Sequence, residues 1–197
     1  MIDPHVFSKD LTSYEVQGSE LWDAWVPLID EIKVNADSCL LRAGDDQQYI
    51  YVIQKGLVRF FYTSPKGKEW NKSFYGEGQV IGSLSAHLTQ SPCRFTIQTL
   101  EPCTLYRTPI DEFWAVIQKI PEGLQLVQKI TQSQFLQNEL RESILLTGNA
   151  QERFDWLAEN EQWLLQRKIA QYHLASYLGM DAVSFSRLKG KRSKTEK

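Results

Sequence analysis

The residues best suited to ligand chemistry fall in one short stretch, IGSLSAHLTQSPCRFT, residues 81–96. It combines Gly82 with the hydroxyl side chains of Ser83 and Ser85, and its only basic side chain is Arg94. Glycine lets a backbone approach a ligand closely, and hydroxyls, backbone amides and arginine are the groups that bind phosphate. No acidic residue interrupts the stretch. These residue types predict a loop that binds an anion.

A second stretch with binding chemistry is KIAQYHLASYLGMDAVSFSRLKGKR, residues 168–192. Residues 170–178 have a helical pattern that ends at Gly179, where a left-handed residue commonly closes a helix. Asp181 can cap a new helix over residues 182–189. Two helices joined by a short turn with glycine form the helix-turn-helix pattern.

The second of these helices is a candidate DNA-binding surface. The small Ala175 allows the two helices to cross closely, and either Val183 or Phe185 is expected to pack inward with Leu188. The residues assigned to DNA contact are Ala182, Val183, Ser184, Ser186, Arg187, Lys189, Lys191 and Arg192. Such a helix can lie in the major groove while its basic flank contacts phosphates. A plain helical hairpin fits the same residues.

Charge is distributed unevenly along the chain. From Lys168 onward there are seven basic and two acidic residues, a net charge of +5, so residues 1–167 carry −7 of the total of −2. An acidic body with a basic terminus predicts a polyanion as partner of that terminus. The alternative is a basic terminus that is only solvated.

The elements that must position these two stretches begin with β-structure from about Cys39 to Thr108. Short apolar or alternating runs there are separated by Gly or Pro, roughly every ten residues, which predicts a small antiparallel sandwich or barrel. SPKGK, residues 64–68, is the loop of a hairpin. Before this region, residues 19–33 predict an amphipathic helix capped by Ser19, or two short helices interrupted at Pro27.

A helical period replaces the strand pattern after Pro109. Residues 110–119 predict a short helix, and Pro121 can open a long one that runs to about Leu146. A heptad-like seam on the long helix consists of Leu126, Ile130, Ser133, Gln137, Leu140 and Ile144. A helix of about 25 residues is roughly 37 Å long. Because a sheet of this size cannot cover it, we infer a two-fold dimer interface, with packing on its own chain as the alternative.

TGN, residues 147–149, predicts a hinge to a second domain. After it, residues 149–166 predict one amphipathic helix, with Asn149 as the cap and Glu152 at the capping-box position.

The order of β-structure, long helix and helix-turn-helix resembles the Crp/Fnr family of bacterial transcription regulators, over roughly residues 20–192. AGDDQQYIYVIQKGLVRFFYTSPKGKE looks like the first half of the family's β-roll, and GEGQVIGSL resembles the segment that enters its nucleotide pocket. AQERFDWL resembles the start of its DNA-binding domain. The most specific match is IAQYHLASYLGMDAVSFSRLK, which resembles the family's helix-turn-helix, including Ala175, Gly179, Ser186 and Arg187.

The resemblance implies an α+β fold. Its parts are an N-terminal antiparallel β-roll (a double-stranded β-helix like that of cyclic-nucleotide-binding domains), a long dimerisation helix and a C-terminal helix-turn-helix domain. The corresponding domains are residues 1–120 for the β-roll sensor with its flanking helices, 121–147 for the dimerisation helix and 148–197 for the DNA-binding domain.

The resemblance also implies a homodimer on a pseudo-palindromic double-stranded DNA operator, with RNA polymerase as a further partner. Arg187 would read a base, since arginine bidentate to guanine is the commonest specific contact. Ala182 and Val183, at two other base-reading positions, could meet a thymine methyl but offer no hydrogen bonds. An effector-binding or cAMP-binding sensor module with weak or lost DNA binding is therefore the alternative function.

In nucleotide-binding members the pocket loop has Glu after its Gly, for the ribose, and Arg after its Pro, for the cyclic phosphate. Here Ser83 replaces that Glu, Cys93 follows the Pro, and Arg94 comes one position late. A slip of one residue on a strand turns a side chain to the opposite face, unless a bulge restores it. The tentative effector pocket is Gly82, Ser83, Leu84, Ser85, Cys93, Arg94 and Phe95. Both charged anchors are thus missing or displaced, and the bulky Phe95 stands where a small residue normally contacts the phosphate. We therefore expect no usual cAMP or cGMP binding and leave the small-molecule effector unknown.

Several other classes find no support. Cys39, Cys93 and Cys103 are too widely spaced for a disulfide framework, a zinc site or an iron–sulfur cluster, which predicts reduced thiols in a cytoplasmic protein. His5, His87 and His173 fall in separate segments, so a catalytic metal centre is not expected, although His5 or His87 leaves haem open.

The sequence also predicts no enzyme and no membrane partner. A nucleophile elbow, a P-loop and a carboxylate pair in context are all missing from it. Neither a transmembrane run nor a signal peptide is expected from its hydropathy.

Overall fold

The computed structural model describes the chain from Glu20 to Thr195. The chain forms two compact units. The first contains the residues up to Tyr62 together with Ser73–Thr131, and the second combines Thr63–Lys72 with the residues from Gln132 onward. The predicted cap Ser19 and the histidine at position 5 lie outside the described residues.

The first unit opens with helix α1 (Glu20–Trp25) and a 3-10 turn (Val26–Leu28), followed by strand β1 (Asp30–Val34). The prediction of helix over residues 19–33 is therefore wrong beyond Leu28. Proline has no N–H for a helical hydrogen bond, and Pro27 lies in the turn at which the helix ends.

Seven further strands complete the roll. They are β2 (Cys39–Leu41), β3 (Tyr49–Lys55), β4 (Val58–Thr63), β5 (Glu69–Tyr75), β6 (Val80–Ile81), β7 (Thr96–Thr99) and β8 (Cys103–Pro109). One sheet has the order β1-β8-β3-β6 and the other β2-β7-β4-β5. The antiparallel pairings of β1 and β3 with β8, and of β4 with β7, confirm the predicted class of fold.

The core of the roll is apolar and tightly packed. Ile53, Val58 and Leu105 are fully buried in it. Gly56, at the turn from β3 to β4, has a φ of +113°, and a Cβ at this position would collide with the Sγ atom of Cys103. Only glycine fits both the backbone conformation and the space. Cys39 is half-buried, and Cys93 and Cys103 are buried; all three are free thiols in this structure.

Helix α2 (Leu84–Thr89) follows β6, and after β8 come α3 (Ile110–Lys119) and α4 (Pro121–Thr147), whose residues beyond Thr131 belong to the second unit. The latter two match the predicted helices. Trp25 of α1 packs edge-on against Phe113 of α3, with ring centroids 5.2 Å apart. Its indole N–H donates to the Oγ1 atom of Thr108 at 2.9 Å, so the polar atom of this buried ring is satisfied.

The second unit contains helices α5 (Ala150–Asn160), α6 (Gln162–Gln166), α7 (Gln171–Tyr177) and α8 (Ala182–Thr195). The single helix predicted over residues 149–166 is two, because Glu161 leaves helical geometry with φ −132° and ψ 40°. The capping box of Asn149 and Glu152 is present. Phe154 and Phe185, both buried, form the aromatic centre of this unit, with centroids 5.5 Å apart.

The compact units divide differently from the predicted domains. The hairpin tip Thr63–Lys72 belongs with the C-terminal helices, and the division along α4 falls after Thr131 rather than at its ends. Hydrogen bonds from the hairpin to α7 account for the first difference. Within the described residues, none of the helices is both long enough and apolar enough to cross a bilayer.

Candidate functional site

The turn before α8 fixes the direction in which that helix leaves α7. Gly179 has a φ of +63°, a conformation that other residues rarely adopt, and the N–H of Met180 donates to the carbonyl of Ala175 at 3.0 Å. These features form the glycine closure predicted from the sequence. The chain can therefore reverse within three residues and start a second helix across the first.

Asp181 caps α8. Its Oδ1 atom accepts the backbone N–H of Ser184 at 2.8 Å, and its Oδ2 atom accepts the Ser184 hydroxyl at 2.7 Å. The hydrogen bond from the Ser184 hydroxyl, followed by the one from its backbone, lowers the pKa of the Asp181 carboxyl. The cap is consequently ionised at neutral pH, and its negative charge suits the N-terminus of a helix.

Burial decides which apolar residue of α8 faces inward. Phe185 is fully buried against Phe154, and Leu188 is half-buried. Val183, by contrast, is 69% exposed. Of the two candidates left open by the sequence, Phe185 is the one that anchors α8.

The residues assigned to DNA contact are all brought together on α8. Ala182, Val183, Ser186, Arg187 and Lys191 are exposed, and Ser184, Lys189 and Arg192 are half-buried. Since residues three and four apart share a face of a helix, Val183, Ser186 and Arg187 lie side by side on the outer surface. The face thus offers one guanidinium and a hydroxyl beside an apolar group, with further cations toward the C-terminal end.

An open cleft of about 780 Å³ adjoins the first turn of α8. Asp181, Ala182 and Ser184 line it on one side, and Lys68 and Trp70 of the hairpin tip line it on another. Sequence reasoning did not anticipate the hairpin here. The hydrogen bonds that hold it join residues about a hundred positions apart, and no local pattern signals such a contact.

In the tentative effector loop, the Ser83 hydroxyl forms its hydrogen bonds within the loop and the helix that follows it. Ser83 is 1% exposed and caps α2, where its Oγ atom accepts the N–H of Ala86 at 3.3 Å and lies 3.3 Å from the Ser85 hydroxyl. Its backbone N–H donates to the side chain of Gln47. Gly82 and Leu84, on either side of Ser83, are half-buried.

The second half of that loop turns alternate side chains in opposite directions. Cys93 and Phe95 are buried, whereas Arg94 between them is exposed. Residues 93–95 precede strand β7 (Thr96–Thr99), so this alternation belongs to the loop and not to a strand. Phe95 stacks on Phe60 with centroids 4.9 Å apart, and Phe60 contacts Tyr75 at 4.5 Å. Aromatic rings therefore occupy the interior of the roll beside Cys93, while the guanidinium of Arg94 is outside.

The exposed apolar face of α4 differs from the predicted seam. Leu126 is 2% exposed and lies in a core cluster of the first unit, with Ile130 packed against it, so Leu126 is not available to a second chain. Ser133, Gln137 and Leu140 are exposed, and Ile144 is half-buried. The large apolar side chains that α4 exposes are Leu124, Phe135, Leu136, Leu140 and Leu146. The heptad pattern missed this because the first turns of α4 cover the core of the first unit.

The two described histidines are both in contact with other side chains. His87 stacks on Trp114 with centroids 4.4 Å apart, and the Nδ1 atom of His173 lies 3.3 Å from the Asn71 amide.

Comparison with known proteins agrees with this architecture. Residues 31–120 match the model of the cyclic nucleotide-binding domain. The anaerobic regulatory protein of Haemophilus influenzae is 23% identical over 171 residues, which cover 82% of this chain. The chain spans 66% of the length of that relative.

Solved structures share the fold. FixK2 from Bradyrhizobium japonicum aligns with a TM-score of 0.75 at 15% identity, covering 85% of this chain and 86% of its own. The c-di-GMP-responsive global regulator CLP from Xanthomonas campestris aligns with a TM-score of 0.71 at 13% identity, covering 89% of this chain and 92% of its own. The roll and the helical unit thus occur together in proteins of this architecture.

Proposed function

We propose that this chain, which belongs to the Crp/Fnr family of transcription regulators, binds double-stranded DNA sequence-specifically as a homodimer. The observation that carries the proposal is the outer face of α8, where Arg187 is exposed beside Val183 and Ser186. The inner face of the same helix is anchored by Phe185. A helix fixed on one side, with a cation and hydrogen-bonding groups on the other, suits the major groove.

In this proposal, some residues of α8 contact bases and others contact phosphates. Arg187 donates two hydrogen bonds to the O6 and N7 atoms of a guanine, while Ala182 and Val183 contact thymine methyl groups. The Ser184 hydroxyl already donates to Asp181, so it is committed to the cap. Lys191 and Arg192 lie near phosphates, which strengthens binding without selecting sequence.

The exposed residues of α4 support a dimer. Leu136 and Leu140 are each 58% exposed and lie one helical turn apart, and Phe135 beside them is 64% exposed. Pairing two copies of this helix buries these side chains and sets two recognition helices on half-sites one DNA turn apart. RNA polymerase is a further partner that this role would bring.

The roll acts as a sensor that does not take cyclic AMP in the usual way. Its loop has the exposed Arg94 outside, and the interior beside Cys93 is occupied by the stacked rings of Phe95 and Phe60. Losing two charge-assisted contacts of about 1.5–3 kcal/mol each weakens a ligand roughly 100-fold or more. An effector of the roll would therefore differ chemically from a cyclic nucleotide. We propose a regulatory role for the chain and no catalytic one.

The second candidate function is a sensor module with weakened DNA binding. It is favoured by the side chains of Ala182 and Val183, which leave two exposed positions on the recognition face without a hydrogen-bonding group.

Selection of bound duplexes from a random pool, with and without cell extract, tests the two candidates. A regulator enriches a two-fold symmetric site with half-sites one turn apart, and its affinity falls steeply as salt rises. A sensor module whose DNA binding is weakened or lost enriches no such site. Enrichment that requires extract would reveal an effector, whereas equal enrichment without extract would contradict a need for one.

A further inference from the structure

The hairpin tip Thr63–Lys72 is fastened to the first helix of the helix-turn-helix by buried polar groups. Asn71 is 3% exposed and His173 of α7 is 6% exposed. Hydrogen-bonding groups buried this deeply are costly unless they are paired. The way in which Asn71 is paired therefore indicates what it does.

Asn71 meets α7 with both its backbone and its side chain. Its N–H donates to the Ser176 Oγ atom at 3.1 Å, and its side-chain amide donates to the carbonyl of His173 at 2.9 Å. The Ser176 hydroxyl in turn donates to the carbonyl of Glu69 at 3.1 Å. Since His173 and Ser176 are three residues apart, Asn71 and Glu69 meet neighbouring positions of α7.

Arg141 of α4 closes the same junction from another side. Its Nη2 atom donates to the carbonyl of Asn71 at 3.2 Å and to that of Tyr177 at 2.7 Å. Its guanidinium also lies 4.1 Å from the centre of the Tyr177 ring. The Tyr177 hydroxyl donates to the Glu161 carboxyl at 2.7 Å, and burial raises the pKa of that carboxyl. Three elements therefore converge on the C-terminal half of α7.

The position of α7 determines that of α8. Leu174, Ala175 and Leu178 are buried, and the backbone of Ala175 and Leu178 forms the turn that leads to Asp181. A shift or loosening of α7 would move the start of the recognition helix with it. The hairpin contacts α7 directly and also lines the cleft beside Ala182.

From this arrangement we propose that Asn71 is a positioning residue for DNA recognition, contributed by the hairpin of the roll rather than by the helix-turn-helix itself. It holds α7, and through α7 the base-reading face of α8, in the orientation that fits the groove. The expected change in operator affinity rests on the proposed DNA-binding function. The expected change in amide exchange of α7 does not.

The test uses the full chain with Asn71→Ala, Ser176→Ala and the double variant. Lys66→Ala is the matched control, since Lys66 is an exposed residue of the same hairpin. For each, affinity is measured for the selected operator and for an unrelated duplex of equal length. Exchange of backbone amide hydrogens is followed across residues 171–189.

We expect Asn71→Ala and Ser176→Ala each to weaken operator binding about 10-fold, as loss of one or two hydrogen bonds would. Binding to the unrelated duplex, which depends on phosphates, should be unchanged. The double variant should be no worse than the more damaged single variant, because both remove the same junction. Amide exchange should accelerate in α7 and the first turn of α8, and Lys66→Ala should match the wild type in every measurement.

Unchanged amide exchange in both single variants would overturn the proposal, as would an unchanged ratio of operator to unrelated-duplex affinity. If Asn71→Ala does not fold, the partly exposed Ser176 supplies the milder variant on which the same outcomes decide. If the wild-type chain selects no duplex, the proposed function fails, and amide exchange alone then decides whether Asn71 holds α7.

Discussion

The loop of residues 81–96 and helix α8 both carry residue types that suit a negatively charged partner, yet the fold treats them in opposite ways. In the loop, the Ser83 hydroxyl caps α2 and the Phe95 ring stacks inside the roll, while the exposed Arg94 is directed away from the interior in which a ligand would have to sit. In α8, Asp181 caps the helix, and Ser186 and Arg187 take no part in that cap and are exposed. The difference teaches that a binding surface is recognised by the groups that the fold leaves uncommitted, and not by composition.

The contrast is also one of anchoring. Each segment has one large aromatic residue turned inward, Phe95 in the roll and Phe185 in α8. Phe95 lies in the very segment that would have to accept a ligand. Phe185 lies on the face opposite to the one that would meet DNA, so it stabilises α8 without blocking it.

The largest effect is expected from removing the anchor of α8. Phe185→Ala should destabilise the C-terminal unit by about 3–5 kcal/mol, because the ring is fully buried and leaves a cavity. Denaturant unfolding, with amide exchange resolving the two units, measures the loss. Val183→Ala is the matched control, two positions away and exposed, and should stay within about 0.5 kcal/mol of the wild type. Equal stability of the two variants would contradict the assignment of Phe185 as the anchor.

Arg187→Ala should weaken operator binding by about 1–3 kcal/mol and relax the preference at one base pair. Titration of the selected duplex and of single-base variants measures both changes. Arg94→Ala, the corresponding change in the loop, should leave DNA binding unaltered because its guanidinium is exposed on the roll. Retention of sequence-selective binding by Arg187→Ala would refute its role as a base reader.

The cap of α8 predicts a smaller, pH-dependent effect. Because the pKa of Asp181 is lowered in the fold from an ordinary value of 3.8, its charge adds stability above that value, and this stability is lost as pH falls through the lowered pKa. Comparing the thermal midpoints of wild type and Asp181→Asn across pH should give a difference at neutral pH that disappears on acidification. Ser184→Ala removes the largest cause of the shift, so the decline should then begin nearer pH 3.8. A difference that persists unchanged in acid would contradict an ionised cap.

The smallest effect is expected in the loop itself. Calorimetric titration of the wild-type chain with cyclic AMP should give no binding in the micromolar range, since Arg94 is directed away from the interior that Phe95 fills. Arg94→Ala should give the same trace. Micromolar binding that Arg94→Ala abolishes would show that this arginine does reach a pocket in the roll.

Local patterns predicted much of this architecture. The strands from Cys39 to Thr108, the long helix, the Asn149 capping box and the turn at Gly179 all follow from periodicity and from capping or turn residues, which act over a few positions. Strand β1 was missed because Leu28, Ile29 and Ile32 fit a helical spacing, although β1 pairs with β8 from the far end of the roll.

The remaining errors have the same origin. Leu126 fits a dimer seam by its spacing, but a core cluster assembled from α1, α3 and parts of the roll covers it. The contacts of Asn71 could not be predicted from local sequence patterns, because its partners on α7 are more than a hundred residues away. In each case a contact between remote segments overrides a local pattern.

The hydrogen bonds of Asn71 to His173 and Ser176 also bear on how the chain acquires its structure. They join residues separated by 102 and 105 positions. Closing a loop of this length costs chain entropy before any contact compensates for that cost, so we expect these bonds to form late in folding. During synthesis the hairpin leaves the ribosome long before α7 does, and its polar groups stay hydrated until then. A fragment that begins after the roll would possess every helix of the second unit and still lack the segment that completes it.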